Sequence, residues 1–138
     1  MYPFVPDREP DILVRHSKNN IIMRRWHLTE VGAFPSVVLH HHVHWGEPEE
    51  VMHDHSWPNQ SIILIGGYWE DTSDGTFWRK EGDIINREAS DPHRTFLKDD
   101  LECWSLFIVG KKEREPLWYT KDGPMPLHRF LFLKNLIR

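Results

Sequence analysis

The sequence has little cysteine, no long apolar run and no excess of positive charge, and each absence excludes a class of protein. Cys103 is the only cysteine among 138 residues, so an internal disulfide cannot form and a reducing, cytoplasmic location is expected. No stretch approaches the roughly 18 consecutive apolar residues of a membrane-spanning helix, so no membrane partner is expected. The formal net charge of −4 at pH 7 argues against binding to nucleic acid through its phosphates.

Histidine and tryptophan, by contrast, are unusually frequent, with ten and seven residues respectively. Hydrophobic residues make up 39% of the chain and charged residues 28%, which is typical of a globular protein. The length fits one domain that covers residues 1–138 and leaves no room for a second core.

Short segments rich in β-branched and aromatic residues recur between turn signals and predict an all-β protein. The predicted strands are 20–28, 36–45, 61–70, 76–81, 83–87, 92–97 and 102–109. Their close spacing is typical of an antiparallel sandwich or barrel. A bulge or corner is expected at Gly66 and Gly67. Short helices are predicted only near the ends, at 11–18 and 127–137, and the segment 115–126 is expected to cross the outside of the barrel.

The motif with chemical content is the pair His53 and His55. Residues i and i+2 of a strand face the same side, so both imidazoles can reach one ion, while Asp54 faces away. His93 offers a third imidazole from a distant predicted strand, and Gln60 offers an amide oxygen. Such a set covers one side of an ion and leaves positions open for water, substrate or dioxygen. The pair alone is weak evidence, because most histidines are packed or lie at the surface.

The stretch 53–67, HDHSWPNQSIILIGG, resembles the first motif of the cupins, H-x-H-x(3,4)-E-x(6)-G. With four residues in the variable gap, Gly67 takes the glycine slot and Gln60 takes the slot normally held by glutamate. The whole segment 53–110 is also similar to a group of small bacterial and phage cupins without an assigned activity.

The stretch 82–93, GDIINREASDPH, resembles the second cupin motif, G-D-x-x-x-x-P-x-G-x-x-H. Gly82, Asp83 and His93 match this motif. Glu88 and Ser90 replace its usual proline and glycine.

The resemblance implies an all-β fold, an antiparallel double-stranded β-helix or jelly-roll barrel, with a metal ion held inside. His53, His55 and His93 fall on the usual ligand positions. Because Gln60 is neutral, the set is closer to the three-histidine ferrous centre of thiol dioxygenases than to cupins with three histidines and one glutamate. One divalent ion is therefore expected, with Fe(II) as the first choice and Zn, Mn, Ni or Cu as alternatives.

The run HHHVHW suggests one further residue inside the barrel. In the predicted strand 36–45, His41 shares a face with mostly apolar residues, so it is expected to point inward, near the metal and the substrate. His40, His42 and His44 share the other face, which is expected to be a solvated or interface surface.

Three other side chains are candidates for contact with a substrate. Arg87, like Arg94 beside the second motif, could bind a carboxylate or phosphate at the mouth of the barrel, although an exposed salt bridge is an equal alternative. Ser105 would line the cavity if its face of the strand 102–109 points inward. Trp57 could form the rim of the pocket, although packing in the barrel wall is the simpler interpretation.

These features favour a metalloenzyme that acts on a small molecule inside the barrel, as an oxygenase or as a Lewis-acid isomerase or lyase. The alternative is a module that binds or senses a small molecule without transforming it, since a fold does not fix a function. A homodimer formed through edge strands would be typical of such barrels.

Overall fold

The computed structural model describes residues 2–17, 20–30, 32–43, 52–97 and 102–126. Across these ranges the chain forms eleven β-strands and no helix, and every strand pair is antiparallel. The strands are β1 (Ile12–Ser17), β2 (Asn20–His27), β3 (Ser36–His42), β4 (Met52–His53), β5 (Asn59–Thr72), β6 (Gly75–Lys80), β7 (Ile84–Arg87), β8 (His93–Phe96), β9 (Cys103–Val109), β10 (Leu117–Thr120) and β11 (Gly123–Pro126). The described part thus holds no helix long and apolar enough to cross a membrane. The all-β prediction is confirmed.

Strand β5 is 14 residues long and belongs to two sheets. Its first half pairs with β7 and β9, and its second half pairs with β6 and β8. The register with β9 shifts between Ile63 and Ile65, next to Gly66, whose φ is 72°. A Cβ on Gly66 would lie 2.1 Å from the backbone oxygen of Glu102, so a side chain does not fit there. The corner predicted at this glycine pair is confirmed.

The first sheet has the order β1-β2-β3-β9-β5, with β7 on the other side of β5. The second sheet has the order β5-β8-β4-β10-β11, with β6 also paired to β5. Strands β4 and β8, which carry His53 and His93, are therefore neighbours in the second sheet.

The first sheet is covered on both faces, and this decides which side chains point inward. On its inner face a cluster forms from residues of both sheets, namely Ile63, Tyr68, Ile85, Leu97 and Cys103. On its outer face Trp26, Leu39 and Trp104 are buried beneath Phe4 and Val5 of the N-terminal arm, residues 2–11. Apolar residues are thus found on both faces of these strands. An apolar face in the sequence is therefore not necessarily the face that points into the barrel.

Two predicted segments differ from the structure. The segment 11–18, predicted as a helix, contains β1, because its apolar residues pair in a hairpin with β2. The segment 115–126 does not cross the outside as a loop but forms the hairpin β10–β11, and β10 extends the second sheet beside β4. The predicted helix 127–137 lies outside the described residues, and so does His44.

Candidate metal centre

Backbone pairing brings the three histidines together. His53 of β4 and His93 of β8 are direct register partners. His55 follows two residues after His53, and its backbone N–H donates to the carbonyl of Ala89 at 2.9 Å. This bond fixes the chain just beyond β4, so the i, i+2 spacing turns both side chains of the first motif toward His93.

The ring nitrogens that these histidines offer lie within 4.8 Å of one another. The ring centroids of His53 are 5.1 Å from those of both His55 and His93, and the latter two are 4.9 Å apart. An ion bound at about 2.0–2.1 Å from each nitrogen needs these nitrogens about 3–3.5 Å apart. Small rotations of the histidine side chains would bring the nitrogens to that separation. The cluster could therefore hold a metal ion.

The chemistry of these donors fits a metal. Burial, followed by the charge of His93, lowers the pKa of His53 to about 3 and that of His55 to about 2, so both rings are neutral at pH 7. Nδ1 of His55 and Nε2 of His93 are buried without a hydrogen-bond partner. A buried polar atom without a partner is costly, and a metal ion would satisfy both nitrogens.

Glu70 contacts the three-histidine cluster and was not predicted from the sequence. It is 0% exposed and accepts a hydrogen bond from Nδ1 of His93 at 2.6 Å, which leaves Nε2 of that ring as the free donor. Arg79 and Arg87 pair with its two oxygens at 2.8 and 2.7 Å. Burial alone would raise the pKa of Glu70. The hydrogen bond from His93 and the charge of Arg87 outweigh this effect and hold that pKa at about 2.

A signal for Glu70 was present in the sequence. Charged residues are rarely buried without partners, and Glu70 sits in the strongest apolar strand, at a position that alternation places with Tyr68. The arginines that balance it come from β6 and β7, and only the folded structure brings them to this carboxylate.

Aromatic rings surround the three histidines. Trp118 of β10 stacks on His53 at 5.1 Å, and Trp57 stacks on His55 at 5.3 Å. Phe107 of β9 contacts His55 at 5.8 Å and Trp57 at 5.7 Å. Trp57 thus lies beside the cluster, and its contact with a substrate stays a prediction. Trp118 was not predicted because its segment was expected to cross the outside of the barrel.

Gln60 does not face the histidines, contrary to prediction. Burial alternates along β5 from Asn59, and Gln60 falls on the opposite face, where its Nε2 donates to Oδ1 of Asn86 at 2.7 Å. The cupin motif also allows a three-residue gap, and that gap puts Asn59 and Gly66 in the two slots. Asn59 is 6% exposed, and its Oδ1 accepts a hydrogen bond from Arg87 at 2.9 Å.

The structure also reverses the predicted orientation of β3. His41 stacks on Trp104 at 3.7 Å and donates through Nε2 to Glu102 at 2.6 Å, on the outer face beneath the N-terminal arm. His40 and His42, predicted on a solvated face, are buried on the inner face. The apolar residues around His41 form a core under the arm and not in the barrel, which explains the inverted prediction.

Arg87 is not free at the mouth of the barrel. It is 7% exposed, and besides Glu70 its guanidinium donates to Asn59, to Ser61 at 2.8 Å and to Tyr68 at 3.1 Å. Arg94 pairs with Asp71 at 2.5 Å. The predicted substrate-binding arginines therefore already have protein partners.

Ser105 lies on the inner face, as the strand pattern allowed. It is 1% exposed, and its register partners are His40 of β3 and Ile63 of β5. Among the predicted substrate contacts, Ser105 and Trp57 thus face the interior, whereas His41 does not.

Asp54 is buried, contrary to the expectation that it lies outside, but it belongs to a different contact network from the three histidines. It is 0% exposed and accepts hydrogen bonds from the backbone N–H of Leu117 at 2.7 Å and the hydroxyl of Tyr119 at 2.6 Å. Arg114 pairs with the same carboxylate at 2.5 Å. Asp54 therefore anchors the hairpin that carries Trp118 against the cluster.

Similar folds occur among solved structures, although no protein-family model matches the sequence and no curated protein is significantly similar to it. The polyketide cyclase RemF of Streptomyces resistomycificus has a TM-score of 0.57 and 18% identity, over 64% of this chain and 65% of the cyclase. A sugar phosphate isomerase of the cupin superfamily from Silicibacter pomeroyi has a TM-score of 0.57 and 13% identity, over 75% of this chain and 74% of the isomerase. A cupin-like protein from Thermotoga maritima has a TM-score of 0.56 and 17% identity, over 80% of this chain and 83% of its own.

The match to the cyclase spans less than two thirds of that protein's length. At these identities the similarity concerns the fold and carries no information about a substrate.

Proposed function

Because this chain has the cupin fold and a three-histidine cluster, we propose that it is a metal-dependent enzyme that acts on a small organic molecule. The observation that carries the proposal is the convergence of three neutral imidazoles, two of them with buried, unpartnered nitrogens. Fe(II) is the first-choice ion, and Zn, Mn, Ni and Cu are alternatives, since imidazoles bind all of them. A cytoplasmic location and a homodimer stay predictions.

When bound, the ion would supply either oxygen activation or Lewis-acid polarisation of a substrate carbonyl. The side chains of this protein would do the remaining work. Glu70 would hold the ring of His93 in the tautomer that leaves Nε2 free. Trp57 and Phe107 would contact apolar parts of the substrate and reduce the access of water to the centre.

A second candidate is a barrel that binds a small molecule without transforming it. One observation favours it: within the described residues, the two buried carboxylates, Asp54 and Glu70, are both held in ion pairs. Neither carboxylate is therefore available as a general base. Oxygenase chemistry needs no such base, so turnover with consumption of dioxygen would distinguish the two candidates.

The test is elemental analysis of untagged protein purified without oxygen. Wild type is compared with His53→Ala and His93→Ala, and His27→Ala serves as the matched control because this histidine is exposed. We expect close to one equivalent of a transition metal in wild type and the control, and a loss of that metal in both cluster variants. Circular dichroism of each variant separates loss of the ion from loss of the fold.

Retained metal would then justify a screen for oxygen consumption, and for isomerase or lyase turnover, with small acids and thiols. Metal far below one equivalent in wild type, which added Fe(II), Zn(II) or Mn(II) cannot restore, would overturn the metalloenzyme proposal and favour the binding module.

A further inference from the structure

Within the described residues, Arg25 is a partly buried arginine without a carboxylate partner. It lies on β2, directly opposite His40 of β3. Among the residues that the structure describes, its side chain makes one hydrogen bond, from Nε to the sulfur of Met23 at 3.4 Å, and no ion pair. A thioether is a weak acceptor, so the guanidinium has several donors left. Burial lowers the pKa of Arg25, which reflects the cost of a charge in this position.

The other interior arginines differ from Arg25. Arg79 and Arg87 pair with Glu70, and Arg94 pairs with Asp71. A buried charge normally has a partner of opposite sign, because desolvation costs several kcal/mol that a neutral environment does not return. An arginine kept without such a partner suggests that an anion from outside the protein completes the pair.

Two neutral histidines adjoin Arg25 on the inner face. His40 and His42 are 7% and 9% exposed, and their rings are 5.9 Å apart. Neither imidazole hydrogen-bonds to any residue in the described part of the chain. Burial first, and then the charge of Arg25, lower the pKa of both, so each ring is neutral at pH 7 and can donate one hydrogen bond.

This group lies close to the three-histidine cluster. The ring of His40 stacks on Phe107 at 4.9 Å, and Phe107 contacts His55 at 5.8 Å, so one aromatic ring separates the two sets of histidines. Arg25, His40 and His42 therefore line the same interior as the candidate metal ligands.

We propose that Arg25, His40 and His42 bind the carboxylate of a small substrate whose other end reaches the three-histidine centre. The inference rests on the proposed function only where the other end of the substrate meets the three-histidine centre. A guanidinium can donate two parallel hydrogen bonds to a carboxylate, and the two imidazoles can donate to its remaining lone pairs. One cation beside two neutral rings matches a monoanion, whereas a phosphate monoester would bring about two negative charges into the same site.

The test is isothermal titration calorimetry with glycolate, 3-hydroxypropionate and 4-hydroxybutyrate, each compared with its uncharged amide and with 2-hydroxyethyl phosphate. Each titration is done on metal-free protein and on protein loaded with Co(II). We expect at least one carboxylate to bind wild type about tenfold or more tightly than its amide. Arg25→Met should abolish that preference, and Arg25→Lys should retain part of it.

The matched control is Arg24→Met. Arg24 precedes Arg25 on β2 and pairs in register with His41, so its side chain lies on the opposite face. This variant should keep the preference for the carboxylate.

A merely structural role for Arg25 makes a different prediction for unliganded protein: Arg25→Met would then lower the melting temperature. Removing an unpaired buried charge should leave that temperature unchanged or raise it.

The outcomes separate the two proposals. If wild type fails to bind Co(II) but prefers carboxylates in an Arg25-dependent way, the metal proposal is wrong and the carboxylate site stands. If wild type binds Co(II) but no carboxylate binds better than its amide, or if Arg25→Met keeps the preference, the carboxylate site is wrong. Tighter binding of 2-hydroxyethyl phosphate than of every carboxylate would also overturn it.

Discussion

Replacing Glu70 with glutamine keeps the shape of the side chain and removes the charge that orients His93. In wild type the carboxylate can only accept, so Nδ1 of His93 must donate across the 2.6 Å bond and Nε2 must carry the lone pair. A glutamine can present its NH₂ to the ring instead, which would favour the tautomer that blocks a metal at Nε2. The variant therefore tests whether Glu70 acts on the centre through His93.

The magnitude follows from what the carboxylate holds. Loss of a carboxylate behind a metal-binding histidine typically costs about 10–100-fold in metal affinity, or about 1.4–2.7 kcal/mol. The same change removes the charge partner of both Arg87 and Arg79. The side chain of Arg87 is only 5% exposed, whereas that of Arg79 is 22% exposed and can be compensated by solvent. Breaking such a buried network should lower the free energy of unfolding by about 3–5 kcal/mol.

Metal affinity is measured by competition with a chromophoric chelator for Zn(II) or Co(II), well below the melting temperature of each variant. Urea denaturation of metal-free protein gives the change in stability separately, because bound metal would itself stabilise the fold. The matched control is Glu102→Gln. Glu102 makes a bond of the same length, 2.6 Å, to His41, but on the outer face and with a side chain that is 48% exposed.

Glu102→Gln should leave metal affinity unchanged and cost less than about 1 kcal/mol of stability. A folded Glu70→Gln variant that binds the metal within about twofold of wild type would refute the assigned role of Glu70. An equal loss of affinity in both variants would show that the effect does not pass through His93.

Three further predictions concern stability. Burial lowers the pKa of His42 to about 3, against 6.5 for a free histidine, so only the unfolded chain takes up this proton as the pH falls from 6.5 toward 3. Stability should therefore fall as the pH falls across that window, and His42→Phe should reduce the slope by about 1 kcal/mol per pH unit in urea titrations between pH 7 and 5. Asp54→Asn removes the anchor of the β10–β11 hairpin and should cost about 3 kcal/mol with faster proteolysis in 110–126; unchanged proteolysis would contradict this role. Gly66→Ala should lower the melting temperature much more than Gly75→Ala, because both residues have positive φ but only Gly66 would place its Cβ against a backbone oxygen.

The sequence alone predicted the all-β fold, the corner in β5 and the three histidines that converge. These features depend on local rules: alternation along a strand, glycine where the backbone has positive φ, and two short motifs in order. His53 and His55 share a face because of their spacing, whatever the rest of the chain does.

Only the tertiary structure decided which face of β3 is inside and that Arg25, unlike Arg87, has no carboxylate partner among the described residues. Alternation shows that His41 and His40 lie on opposite faces, but it cannot show that the N-terminal arm buries the outer one. Arg87 and Arg25 look alike in the sequence, and they differ because the folded barrel brings Glu70 to Arg87, whereas Arg25 bonds only to the thioether of Met23, its neighbour on β2. Charge compensation acts between residues that are distant in the chain, so it is determined by strand pairing and not by local pattern.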